Sequence, residues 1–264
     1  MQAISVQPPV RVGRPGHSII LRPDDLMFSG SLAEIPQPVN LAGPRSVSGA
    51  SLRNGSAVDE PLDRFATAFP SGDRRAIASQ WSKWLFHAWL SPTIAVMVLD
   101  GYSLPRQSAD WGIRFTPDGC PERLWLSSTT VPVRRQPVDQ LLAQLVCEEL
   151  DDVVATLARH SGASVNVFWS NAGNLVEHVL TRLAEHPVIC ADRLAQARAF
   201  LETPRLAGRR NRLYRPVVYR VDEGSIEPQR LRRVCCIRYR LDELDYCENC
   251  PLACRSGKPA GEGR

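Results

Sequence analysis

The chain reads as an α+β protein: a mostly helical body, a small antiparallel sheet and a C-terminal cysteine loop, preceded by a disordered N-terminal arm. Three observations carry that reading. Apolar residues recur at helical spacing through most of residues 73–202, strand-like runs flank clear turn residues in two places, and residues 1–58 show no sustained periodicity. At 264 residues and 44% apolar content the chain has material for a real core. Its net charge of +4 calls by itself for neither a nucleic acid nor a membrane surface, and no nucleic-acid partner is expected.

Residues 1–58 are rich in Pro, Gly and Ser, as in QPPVRVGRPGHS and GPRSVSGASLRNGS, which predicts a flexible extension with one short ordered piece around residues 18–21. Met1 is followed by no basic segment and no apolar run, so a cytoplasmic protein with reduced thiols is expected. A helical, substrate-binding body is expected over residues 59–204. Asp73 is placed to cap a helix through RRAIASQWSKWLFHAWL, with Ile77, Trp81, Trp84, Leu85 and Ala88 on one stripe and Pro92 as its interruption. The following run, TIAVMVLDGYSL, suits a buried helix or strand and is far short of a membrane span. Core packing is the expected role of the tryptophans, although Trp89 and His87 fall off the stripe and could line a pocket.

Residues 112–126 predict a hairpin around Pro117, Asp118 and Gly119, with Cys120 structural. A long helix fits residues 137–159, with Leu141, Leu142, Leu145, Val146, Leu150, Val153, Val154 and Leu157 inward, Cys147 as a small buried residue and the acidic run at 148–152 as a solvated face. Ser164 or Asn166 starts the next helix, which puts Asn171, Asn174 and His178 on one face. A further short helix carries Cys190.

After Pro204 the composition turns to arginine, with Arg230, Arg232, Arg233, Arg238 and Arg240 close to the cysteines, and up to Arg240 the acids are only Asp222, Glu223 and Glu227. YRPVVYRV and RRVCCIRYRL have strand character. Residues 205–264 are therefore expected to form an Arg-rich strand element that presents the cysteine loop.

That loop, VCCIRYRLDELDYCENCPLACRS over residues 234–256, holds Cys235, Cys236, Cys247, Cys250 and Cys254, five of the eight cysteines. Thiols gather this way for disulfides, a metal ion or an iron–sulfur cluster. Disulfides are disfavoured because nothing routes the chain to an oxidising compartment. Cys247 and Cys250 form a C-x2-C knuckle. The adjacent Cys235 and Cys236 would point to opposite faces of a regular strand, so the backbone must bend or begin there for both to serve one small core. A doublet fits structural zinc sites poorly, and four thiols suit [2Fe–2S].

The pattern CC-x10-C-x2-C resembles the C-terminal signature of siderophore-iron reductases of the FhuF type, and FWSNAGN resembles a Trp-x-Asn stretch of the same family. The resemblance implies that Cys235, Cys236, Cys247 and Cys250 hold a [2Fe–2S] cluster, with Cys254 outside the set. It further implies a cytoplasmic one-electron reductase of ferric siderophores, with hydroxamate chelates as the substrate class. No G-x-G-x-x-G, P-loop or G-x-S-x-G motif is present, so electrons are expected from an external donor protein. A pocket between the Trp-rich helix, the Asn171 helix and the cysteine loop is expected to bind the chelate through Trp89, Asn171, Arg233 and Arg238. Two other classes stay open at this point: a zinc-binding structural or nucleic-acid-binding module, and a non-catalytic iron–sulfur sensor.

Overall fold

The computed structural model of the chain describes residues 19–20, 26, 28–40, 42–105, 107–127, 132–133, 135–221 and 228–253. Helices dominate it, joined by small antiparallel sheets, as the α+β reading requires. In order, the strands are β1 (Ile19–Ile20), β2 (Ser46–Ser48), β3 (Trp111–Phe115), β4 (Pro121–Leu126), β5 (Pro132–Val133), β6 (Arg205–Leu206), β7 (Arg209–Arg210), β8 (Val217–Arg220) and β9 (Gln229–Arg232). The helices are α1 (Gly49–Asn54), α2 (Asp59–Ala66), α3 (Arg74–Asp100), α4 (Val138–Leu145), α5 (Asp151–Ser161), α6 (Val165–Ala184) and α7 (Ala191–Glu202).

The centre is α3 against α6. Asp73 caps α3 through its side chain, which accepts from Arg75 N, and Ser164 caps α6 in the same way. Pro92 does not interrupt α3, contrary to the expectation. The helix runs on to Asp100, because the residues around the proline, Leu90 to Val98, are buried throughout and tertiary packing outweighs one lost backbone bond. Residues 137–159 do form one long helix, but it widens into a π turn at Val146–Leu150 between α4 and α5. That extra residue rephases the face: Glu149, expected in solvent, is buried, while Cys147, expected inside, is exposed.

The predicted hairpin is β3–β4, and β2 joins it as a third strand in the order β2-β3-β4. This corrects the flexible extension drawn through residue 58. Leu26, Phe28, Leu32, Ile35, Val47, Leu52 and Val58 all enter the core, singly spaced, so no periodicity announced them. Gly49 makes the contact possible, since a Cβ there would lie 2.4 Å from the Trp111 ring. Residues 1–18, including His17, lie outside the described residues.

Trp81 is fully buried and stacks on Phe115, with ring centroids 5.8 Å apart. Trp84, placed on the buried stripe, is 45% exposed. Among the described residues no helix is long and apolar enough to cross a membrane.

Candidate metal centre

β8 and β9 pair antiparallel and carry the chain to the cysteines. The strand expected through RRVCCIRYRL ends at Arg232, short of the doublet, where β9 is tied to the knuckle by Arg232 N donating to Asn249 O at 3.0 Å. The bend predicted at the doublet is present. Ile237, directly after it, has φ 52°, a left-handed conformation that a β-branched residue rarely adopts, and a single 3-10 turn, Arg238–Arg240, follows. The knuckle closes through Cys250 N donating to Cys247 O at 3.0 Å.

Cys236, Cys247 and Cys250 are buried, Cys235 is half-buried, and the four form a small cluster of their own with Ala253, flanked by Tyr246 and Leu252. Cys236 Sγ lies 3.6 Å from Cys247 Sγ, and Cys235 is close enough to Cys250 for the two thiols to act on each other. None of the four is in a disulfide. Among the described residues no three Cys, His, Asp or Glu side chains converge as a single-ion site. Two thiol pairs, each taking one member from the doublet and one from the knuckle, are a donor set suited to a binuclear core. Cys254 lies outside the described residues.

Helices α3 and α6 hold this loop by its backbone. Ser79 Oγ donates to Cys236 O at 2.7 Å and Ser170 Oγ donates to Val234 O at 2.7 Å. Asn171 Nδ2 donates to Ser79 O and to Ser82 Oγ, both at 2.9 Å, while Asn171 Oδ1 accepts from Arg232 at 2.6 Å. One turn along, Asn174 Oδ1 accepts from Arg230 at 3.0 Å and from Asn249 at 3.3 Å, and Glu177 pairs with Arg230. Gly173 lets the ribbon approach: a Cβ there would sit 2.5 Å from Pro216 Cβ.

The electrostatics favour negative charge at Cys236. The Cys236 thiol is drawn down to about 4, first by its hydrogen bond with Cys247, then by the charges of Lys83 and Arg232 against the opposing cost of burial. Cys247 moves the other way, because it keeps the proton its partner gives up. Cys235 is pushed up to about 11 by burial. Burial lowers Lys83, which also touches Cys236.

Of the residues expected at the site, the four cysteines come together, with Asn171 behind them and the half-buried Arg238 beside them, its backbone N–H toward Cys236. Arg233 is exposed and donates to Tyr214 O and Arg215 O, each at 3.4 Å. Trp89 is elsewhere: it is 2% exposed and stacked on Trp111 at 4.7 Å, facing the β-sheet. Among the described residues no pocket runs from Trp89 to the loop, because Trp89 fills the core. Asn171 is 2% exposed and spends its amide on protein partners. The residues missed were Ser79, Ser82, Lys83, Ser170 and Arg232. Lys83 carried a readable signal as one of two lysines in a chain of 32 basic residues, set inside an apolar helix.

Comparison with known proteins agrees with this arrangement. The family model described as ferric iron reductase FhuF-like transporter matches residues 79–224, and the FhuF 2Fe-2S C-terminal domain matches residues 232–252. The ferric siderophore reductase of Escherichia coli (strain K12) is 23% identical over 184 residues, covering 68% of this chain and 67% of its own length. A solved aerobactin synthetase IucC from a hypervirulent pathotype of Klebsiella pneumoniae superposes with a TM-score of 0.46 at 18% identity, over 66% of this chain and 36% of that one, a likeness too slight to bear on fold or function.

Proposed function

We infer the activity from one premise: the chain belongs to the ferric iron reductase FhuF-like family, and its C-terminal segment is that family's 2Fe–2S domain. It is an iron–sulfur oxidoreductase whose substrate is a ferric siderophore. Hard oxygen donors hold Fe(III) far better than Fe(II), so adding one electron makes the chelate release its iron. When bound, the [2Fe–2S] cluster supplies electrons singly, which matches that demand.

The chain's own residues have three tasks. Cys235, Cys236, Cys247 and Cys250 would hold the cluster; their gathering into one buried group at the end of β9 is the observation that carries this reading. Lys83 and Arg232 supply positive charge at the Cys236/Cys247 pair, which favours added negative charge. The exposed Arg233 and half-buried Arg238 flank the cysteine doublet in sequence, and cationic side chains there suit an anionic chelate or an acidic donor protein. The body over residues 59–204 is assigned to chelate binding and residues 205–264 to presenting the cluster. Hydroxamate chelates, an external electron-donor protein and a cytoplasmic location complete the reading.

Anaerobically purified protein tests it. About two irons and two sulfides, with an S = 1/2 signal after dithionite reduction, are expected, followed by Fe(II) release from a ferric hydroxamate in the presence of a ferrous-iron trap. A colourless protein holding about one zinc would remove the reductase reading.

A further inference from the structure

We propose that Arg232 donates its Nε–H to a sulfur on the Cys236/Cys247 side of the cluster and thereby raises the reduction potential, with Asn171 as the residue that aims the guanidinium. The inference rests on the ligand reading above and adds to it the residue that tunes the centre.

Arg232 is 6% exposed, a rare position for a guanidinium. Such a group is always charged and carries five N–H donors in a fixed fork, so burial demands both partners and a counter-charge. Asn171 Oδ1 takes one terminal N–H at 2.6 Å. Arg232 Nε is buried and has no hydrogen-bond partner in the protein. Among the described residues no carboxylate pairs with it, unlike Arg230, which has Glu177, and Arg240, which has Asp73. Its hydrogen bonds place it beside the Cys236/Cys247 pair: Arg232 N donates to Asn249 O between Cys247 and Cys250, and Asn171 joins its guanidinium to Ser79, whose Oγ donates to Cys236 O.

An orphaned donor on a buried cation, set beside four thiolates that together with two ferric ions and two sulfides carry net negative charge, is matched by sulfur of the cluster. Reduction adds one negative charge there. The bond therefore strengthens on reduction and shifts the equilibrium toward the reduced form. Asn171 fixes the plane of the fork from behind, and its own amide is anchored to Ser79 and Ser82 of α3. Exposed Arg233, whose charge faces solvent, does none of this.

The test is a redox titration of the holoprotein monitored by EPR, with guanidino-15N-arginine label for pulsed EPR. Arg232→Gln is expected to load two irons and two sulfides and to shift the one-electron equilibrium about tenfold toward the oxidised form, about 59 mV. Arg232→Lys should fall between the two, and Arg233→Gln should keep the wild-type potential. A 15N coupling to the reduced cluster should appear in the wild type and vanish in both Arg232 variants. A loaded Arg232→Gln with unchanged potential, or a coupling that survives it, as it would if Arg238 were the donor, overturns the proposal. Should Arg232→Gln fail to load, Arg232→Lys decides on the same two readouts. Failure of the ligand reading is distinguishable, since Cys236→Ser would then keep a full iron and sulfide count.

Discussion

Replacing Asn171 by leucine tests whether this residue belongs to the protein's frame or to its substrate site. The substitution roughly keeps volume and removes all polar contact. Ser79 Oγ still donates to Cys236 O and Ser82 Oγ still donates to Ser79 O, so each serine keeps its own donor bond and loses only an accepted one, about 0.5 kcal/mol apiece. The larger loss is at Arg232, whose terminal N–H gives up a charge-assisted bond in a site 6% exposed, about 1.5–3 kcal/mol. Together these come to about 2.5–4 kcal/mol, a fall of about 5–10 °C in melting midpoint for a chain of this size. Because the lost bonds hold the loop, the holoprotein should also surrender iron to a chelator faster than wild type. Asn171→Asp keeps the acceptor for Arg232 and should lose less. A leucine variant that melts within a degree or two of wild type, holds its iron and shows only a raised KM for the ferric chelate would refute the structural role.

Trp89→Ala should cost about 3–5 kcal/mol, because it empties a fully buried stack on Trp111, and should leave the KM for the chelate unaltered in the folded fraction. Asp73 sits between Arg75 and Arg240, and its hydrogen bonds to Arg75 and then Arg240 hold its carboxyl well below the usual 3.8. A depressed carboxylate contributes stability above its ordinary range and loses it as pH falls through and below that range, so Asp73→Ala should lose about 1 kcal/mol at neutral pH and show a shallower acid limb in urea midpoints. Cys250→Ser should abolish the cluster spectrum while Cys254→Ser keeps it; the iron and sulfide counts of the two variants would expose a wrong fourth ligand.

Much of the fold was written in local pattern. The caps at Asp73 and Ser164, the turn at residues 117–119 and the inward leucines and valines of residues 137–159 each follow from a few neighbouring residues, and each stands where expected. What escaped depended on distant partners. Val47 pairs with Ile113 across a long stretch of chain, and single apolar residues such as Leu32 and Leu52 reach full burial without any repeat around them. The π turn escaped for another reason: one added residue keeps the leucine stripe intact while moving Glu149 inward. At the site, the cysteines announced themselves by spacing alone, whereas Arg232 was hidden among identical neighbours. Nothing local separates it from Arg233; burial by Asn171 does.

The small polar residues at the α3–α6 contact resolve an apparent conflict in the sequence. Ser79, Ser82, Ser170 and Asn171 lie at buried positions where a helix pair would gain more from apolar side chains. A loop that ends in a left-handed isoleucine and two pairs of thiols has no sheet to satisfy its carbonyls, and a buried carbonyl without a partner costs about 1–3 kcal/mol. The serines answer Val234 O and Cys236 O directly, and Asn171 joins Ser79 to the buried Arg232. The helical body thus trades packing for a fixed cradle. Fixing matters here because outer-sphere electron transfer asks little of acid–base groups and much of a donor centre whose charge environment is set before the electron arrives.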